Sequence, residues 1–261
     1  MGSPVDAVRA AREALAREHL AQPRRRGERE AIRVLLTTRG SAVRARTKAI
    51  CHLKALVVNA PENLRQALRK LATDDLLDRC ARLRTYPYHS TEYRFTVMAL
   101  RVTARRALAL EAEAADLESQ LELLVQQVAP QLLAEPGIGG ISAAQILCAW
   151  SHAGRIRSEA AFAALAGAAP IQASSGRVQR HRLNRGGDRQ LNRALHTITL
   201  SRLAHHAETR AYALRRETEG KSLREIKRCL KRHLARRLFK LLEGGAVEAA
   251  RSFHPAPLDV P

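Results

Sequence analysis

The sequence is short of aromatic rings, paired cysteines and long apolar runs, and each shortage removes a class of function. Phe, Trp and Tyr make up 3% of the 261 residues, which argues against an RNA-reading sheet built on stacked aromatic side chains. Cys51, Cys80, Cys148 and Cys229 are far apart and form no C-x-x-C pair. Neither a zinc site nor a disulfide framework is indicated, and a reduced cytosol fits them best. There is no N-terminal apolar run and no eighteen-residue apolar span. Secretion and membrane insertion are therefore not expected, and a cytoplasmic, nucleoid-associated location is predicted.

Carboxylates are scarce too. The chain holds 45 Lys+Arg against 25 Asp+Glu, a formal charge of +20 and a pI of about 11.2. A surplus this large makes a polyanion the expected partner, because every phosphate neutralised releases condensed counterions. Arginine far outnumbers lysine, and its planar fork suits phosphate and guanine edges. The competing explanation is the codon usage of a GC-rich genome. The charge is uneven: residues 137–261 hold 22 basic against 9 acidic residues, and the first 136 hold 23 against 16.

The pattern predicts a mainly α protein. "VDAVRAAREALAREHL" (5–20) reads as a helix with Val8, Ala11 and Leu15 on one face. A second helix runs from about Glu30 to Asn59, with Val43, Thr47, Ile50 and Val57 at helical spacing, until Pro61. "ENLRQALRKLATDDLLDRCARLR" predicts two short helices with Thr73 as an N-cap between them. Asp74, Asp75 and Asp78 cluster there; a metal site is one reading, and first-turn acids complementing a helix dipole are the commoner arrangement. "YPYHSTEYR" predicts a loop. From 96 to 133 the residues Ala107, Leu110, Ala114, Leu117, Leu121, Leu124 and Val128 make a heptad seam, with Glu111, Glu113, Asp116, Glu118 and Glu122 outside it. That seam suits either a coiled coil that dimerises or projects as a stalk, or a helix packed inside one subunit. The boundaries predicted are 1–60, 61–135, 136–245 and a disordered tail at 246–261.

"EPGIGGISAAQIL" (135–147) has the form of a helix-hairpin-helix turn. Gly137 and Gly139 flank Ile138, which would plug the core while the hairpin amides cradle a phosphate; a plain connecting turn is the alternative. In "RSEAAFAALAG", Ser158 caps a small-residue helix and Gly167 stops it. Then comes "QASSGRVQRHRLNRGGDRQLNRALHTITLSRL" (172–203), where Ser174, Ser175 and Gly176 precede Arg177, Arg180, Arg182, Arg185, Arg189 and Arg193, with Asp188 the one offsetting carboxylate. Asp188 would cap a helix burying Leu191, Leu195, Ile198 and Thr199. A loop serine beside glycine, facing converging guanidiniums, suits nucleophilic attack on a phosphodiester. It equally suits a loop whose serines only hydrogen-bond the DNA backbone, and with no general base identifiable, residue chemistry alone favours that second reading. In "KSLREIKRCLKRHLARRLFKLLEGG", Ser222 and Glu225 read as a capping box and Gly244 as the stop. Ile226, Leu230, Leu234, Leu238 and Leu241 form the apolar stripe, and Lys227, Arg228, Lys231, Arg232, Arg236 and Lys240 coat the rest.

The run "PGIGGISAAQILCAWSHAGRIRSEAAFAALAGAAP", then "SSG", then "HRLNRGGDRQLNRALHTITLSR" closely resembles the C-terminal domain of bacterial insertion-sequence transposases of the 110/116/902 family, over about Leu132 to Leu242. "PVDAVRAAREAL", "GEREAIRVLL" and "RTKAICHLKALV" resemble the end of that family's RuvC-like (RNase H-like) N-terminal domain, which a coiled-coil stalk follows. The resemblance implies a mobile-element enzyme of DNA transposition and recombination. Four carboxylates of the RuvC-like domain would hold a divalent metal, with magnesium the expected ion, and a serine of the C-terminal domain would attack DNA. It also implies oligomers, dimeric or tetrameric through the coiled coil, acting on double-stranded DNA with a structured guide RNA encoded by the element.

Carried over, the nucleophile is Ser175, with Ser174 the fallback, and the last acidic ligand of the D-P-x-D-A motif is Asp6. Where that motif begins with aspartate this chain has Ser3, and the strands bearing the first aspartate and the glutamate would precede Met1. Asp6 alone cannot hold two hard cations, so the chain is expected to be a family member lacking most of the N-terminal domain. Two other functions stand beside the transposase: a non-catalytic DNA- or RNA-binding remnant that inhibits a full-length enzyme by mixed oligomerisation, and a helix-hairpin-helix structural protein.

Overall fold

The computed structural model describes residues 4–16, 22–172, 181–182 and 186–252. These residues are mainly helical. In chain order the helices begin with α1 (Pro4–Leu15), α2 (Glu28–Val58), α3 (Glu62–Leu68), α4 (Thr73–Ala81), α5 (Thr91–Val128), α6 (Pro130–Leu133), α7 (Gly140–Trp150) and α8 (Glu159–Leu165). Two short strands follow, β1 (Ile171–Gln172) and β2 (His181–Arg182), paired antiparallel with Ile171 opposite Arg182 and Gln172 opposite His181. The chain then continues through α9 (Arg189–His205), α10 (Ala207–Thr218) and α11 (Leu223–Ser252). Two compact units result. The first comprises residues 31–133 and 139–145; the second comprises 1–30, 134–138 and 146–261. Residues 1–60 thus contribute to both.

The first unit is built on α2, α4 and α5. Leu53 and Val57 of α2, Leu76, Leu77 and Cys80 of α4, and Leu100, Ala104 and Ala107 of α5 share one buried cluster. Burial pushes the Cys80 thiol up to about 11, so it acts as a small core residue rather than a reactive group. The inward face of α2 differs from the expected one. Ala42, Ala49, Leu53 and Val57 are buried, whereas Val43 and Thr47 are exposed. Alanine lets helices approach closely, and a pattern weighted toward large side chains overlooks it. Two arginines of α2 reach across to α5: Arg39 NH2 lies 2.8 Å from Glu118 Oε2, and Arg46 NH2 lies 2.8 Å from Glu111 Oε1.

The α5 seam is used inside the chain. Ala107, Ala114 and Leu121 are buried and Leu110, Leu117 and Leu124 half-buried; only Val128 is exposed. Between the two readings of that seam, this is the helix packed within one subunit. The loop expected over "YPYHSTEYR" stops early, because the Ser90 hydroxyl accepts from the Tyr93 amide at 3.2 Å and starts α5. Thr73 is not the cap of α4. It is the first helical residue, Ala72 holds the cap position, and no side chain caps the end. Asp74 and Asp75 occupy the first turn.

In the second unit α8, α9 and α11 bury Phe162, Leu191, Leu195, Ile198, Leu234 and Leu238, and the Phe162 and Phe239 rings lie 5.9 Å apart. Ser158 caps α8 by accepting from the Ala161 amide. The Trp150 indole N–H donates to Glu243 Oε1 at 2.7 Å, and the Gly154 amide donates to Oε2 of the same carboxylate at 3.0 Å. The segment before α2 is tied to residues 148–152. Arg25 N–H donates to Ser151 Oγ at 3.0 Å, Arg29 donates to the Cys148 carbonyl, and His152 Nε2 meets Gln22 Oε1 at 3.1 Å. The helix read over 5–20 is described only over Pro4–Leu15, and its Val5, Val8 and Leu15 are exposed.

Two features of α11 depart from expectation. It does not stop at Gly244 but runs to Ser252; glycine costs a helix about 1 kcal/mol without forbidding it. Lys231, read as a surface residue, is buried. Residues 253–261, including most of the predicted tail, lie outside the described residues.

Candidate nucleic-acid interface

The turn at Gly186–Asp188 sets the start of α9. Gly187 has φ +94°, and a Cβ there would run into the Leu165 carbonyl oxygen and come within 3.0 Å of that of Ala164. Only glycine lets the turn lie this close to the end of α8. The Asp188 amide donates to the Leu165 carbonyl at 2.7 Å. Its carboxylate accepts from the Gln190 and Leu191 amides at 2.9 and 3.0 Å, the expected cap. Asn192 then donates to the Ala166 carbonyl at 2.6 Å, and Leu191, Leu195, Ile198 and Thr199 turn inward as predicted.

That orientation turns Arg189, Arg193 and His196 outward, at i, i+4 and i+7. Neither Arg189 nor Arg193 has an ion-pair partner among the described residues. Lys231 of α11 reaches Asn192 Oδ1 at 3.4 Å, bringing α11 alongside. Burial, then Lys231 and Lys227, hold the His196 imidazole below its usual range. Burial, then Arg228, lowers the Lys231 ammonium as well. Burial is the larger cause of both shifts, and the neighbouring cations add to it, since charges already present resist a further proton. A surface of this kind attracts a polyanion.

The sequence-predicted residues separate as follows. Ser174, Ser175, Arg177, Arg180 and Arg185 lie outside the described residues. Arg182 is placed by its backbone on β2, opposite Ile171. Arg189 and Arg193 are brought together on α9. Asp6 is exposed in the first turn of α1. Gly137 belongs to the second unit, with φ +77° and Ser201 Oγ and Arg202 Cγ each 3.2 Å from where its Cβ would be. Gly139 belongs to the first unit and has open space around it. Ile138 between them is buried.

Sequence reasoning missed the carboxylate beside this turn. Glu135 is buried and held by two arginines. Arg202 NH2 donates to Oε2 at 2.9 Å while its Nε donates to the Pro136 carbonyl at 2.7 Å, and Arg237 approaches both carboxylate oxygens at 2.8–2.9 Å. Burial pushes the Glu135 carboxyl up, but the hydrogen bonds from Arg237 and Arg202 outweigh it and hold the group below its usual range. The available signal was its isolation: Glu135 is the one charged residue between positions 129 and 150. Beside it opens a cavity of about 540 Å³ lined by Arg202, His206, Tyr212, His233 and Arg237 among others. Because Glu135 is already engaged by two guanidiniums, it is no free general base.

An outward cationic helix face, fixed by a glycine turn and an aspartate cap, defines a helical module suited to polyanions. Residues 129–214, from α6 into α10, match the model of the transposase IS116/IS110/IS902 family. The match supports a transposase role in general terms, and it contains Glu135, Gly137, Arg189, Arg193 and Arg202. No curated protein gives a significant match. Among the described residues no helix is long and apolar enough to cross a membrane.

Proposed function

We propose that this chain binds double-stranded DNA as a transposase-type protein, gripping phosphates with Arg189 and Arg193 on the outer face of α9, with His196 beside them as a hydrogen-bonding imidazole and Lys227 of α11 nearby. The observation that carries this reading is the outward placement of Arg189 and Arg193 on one face of α9, inside the segment that matches the transposase family. In the complete reaction the Ser175 hydroxyl, Ser174 being the alternative nucleophile, attacks the phosphodiester to form a phosphoserine bond as one DNA P–O bond breaks and the deoxyribose oxygen leaves as a protonated hydroxyl, while the Arg180–Arg193 cluster holds the phosphate. Gly137 of the second unit and, separately, Gly139 of the first would each offer backbone amides to DNA, and a structured RNA encoded by the element directs the complex.

A divalent metal does not fit the residues described. Such ions need several oxygen ligands, Asp6 is a single exposed carboxylate, and among the described residues no group of three or more His, Cys, Asp or Glu is placed to hold one. No step is therefore assigned to a metal. That isolation of Asp6 favours a second reading, a protein that binds nucleic acid without cutting it.

The test is duplex-DNA affinity measured against salt. Binding should weaken linearly in log salt, and Arg193→Ala should flatten that slope by about one unit, uniformly across sequences. An unchanged slope would remove α9 from the interface. A covalent DNA adduct that disappears in Ser175→Ala supports the enzyme; salt-dependent binding with no adduct supports the second reading.

A further inference from the structure

Aromatic residues are scarce in this chain, yet Tyr86, Tyr88 and Tyr93, three of its four tyrosines, gather with His89 in the loop before α5 and the first turn of that helix. The loop is tied to itself. Pro87 presets the backbone of a turn in which the His89 amide donates to the Tyr86 carbonyl at 3.1 Å, and the Tyr86 amide donates to His89 Nδ1 at 3.1 Å. The Tyr86 and Tyr88 rings lie parallel to within 2°, with centroids 5.5 Å apart. His89 packs edge-on against Tyr88 at 4.6 Å, and Tyr93 braces His89 at 4.2 Å. The stack faces water, with Tyr86 46% and Tyr88 79% exposed. Flat rings held in place and left in water form a surface for another flat group.

The charge around the rings identifies that group. From Arg79 to Leu110 the sequence carries seven arginines, with Glu92 the sole carboxylate. Arg84 and Arg94, which flank the tyrosines along the chain, are exposed and have no ion-pair partner among the described residues. A single nucleic-acid strand alternates a flat base with an anionic phosphate, and exposed rings beside guanidiniums match both. A duplex does not suit these rings, because its base faces are stacked on one another and it offers only groove edges and phosphates. DNA and RNA share the chemistry that fits, an unpaired and unstacked nucleobase.

We infer that Tyr86 and Tyr88 form a stacking platform for the bases of a single nucleic-acid strand, with Arg84 and Arg94 holding the flanking phosphates. The platform belongs to the first unit, takes no part in the duplex contacts assigned to α9, and does not depend on them. The test is fluorescence anisotropy on the full chain with short labelled strands of equal length: oligothymidine DNA, oligouridine RNA and an abasic strand carrying the same phosphates. At least one base-bearing strand should bind about tenfold or more tightly than the abasic one. Tyr88→Ala and Tyr88→Leu should each lose about tenfold for that strand. Tyr88→Phe, which keeps the ring, should not. Because Tyr88 is exposed, all three should keep the native thermal midpoint and duplex affinity. Arg193→Ala should show the opposite pattern, moving duplex affinity while leaving the ratio of base-bearing to abasic binding as it was. Tighter binding of thymidine assigns the platform to DNA and of uridine to RNA, and either supports stacking. Equal binding of abasic and base-bearing strands, a Tyr88→Leu variant as tight as the native chain, or a parallel loss of duplex and single-strand binding in Tyr88→Ala would each overturn it.

Discussion

Arginines of α2 and arginines of α9 are put to opposite uses. In the first unit Arg39 and Arg46 reach acidic residues of α5 and act as clasps between helices. In the second unit Arg189 and Arg193 face outward with no acidic partner among the described residues, and burial, then neighbouring cations, hold His196 and Lys231 below their usual ranges. Composition alone assigns both sets to a polyanion. What separates them is the carboxylate supply of the neighbouring helix. α5 has five acids in its C-terminal half, whereas α9 has none after its cap. Net charge therefore overstates the interface, since only arginines without internal partners are free to meet phosphate.

Glu135 is where the second unit behaves like the first, and removing it gives the largest expected effect. Glu135→Ala leaves Arg202 and Arg237 facing each other across a buried site and should cost about 3 kcal/mol in urea unfolding. The cost tends to the lower side because Arg237 is largely exposed. Because the Glu135 pKa is lower folded than unfolded, its stabilisation is present above the ordinary value of 4.5 and is lost as pH falls through the lower folded value. The gap between wild type and Glu135→Gln should therefore close in acid; a gap that persists at pH 2–3 would show the role is packing.

Gly187→Ala comes next. The positive φ and the collision with the Leu165 carbonyl should cost about 2 kcal/mol, read as a lower thermal midpoint with weakened DNA binding, because α9 loses its fixed start. The smallest effect is expected for Arg46→Ala. Its pairs with Glu111 and Asp74 reach exposed carboxylates, so stability should fall by less than about 1 kcal/mol and the salt slope of DNA binding should not move. A flattened slope would mean that clasp arginines and face arginines are not distinct classes.

Local features of the chain were largely legible before the fold. The Asp188 and Ser158 caps and the inward residues of α9 follow from short-range chemistry and periodicity, whereas α5 begins at Thr91 and ends at Val128 rather than spanning 96–133. The misses share a cause. Glu135 is clamped by residues 67 and 102 positions away, and no local pattern reveals a long-range ion cluster. Lys231 looks like surface until α9 presents Asn192 to it. The α2 face was misread because alanines at 42 and 49, not the valine at 43, form its packing line. At Gly244 the residue type allowed a stop that helix continuation made unnecessary.

The chain contains a single tryptophan, and it sits in the second unit with its indole donating to Glu243. Intrinsic fluorescence excited at the indole band therefore reports the loosening of α11 from the end of α7 and is blind to the first unit, while circular dichroism sums helices from both. A thermal scan followed by both signals distinguishes a protein that melts as one body from one that melts in two stages, with no label attached.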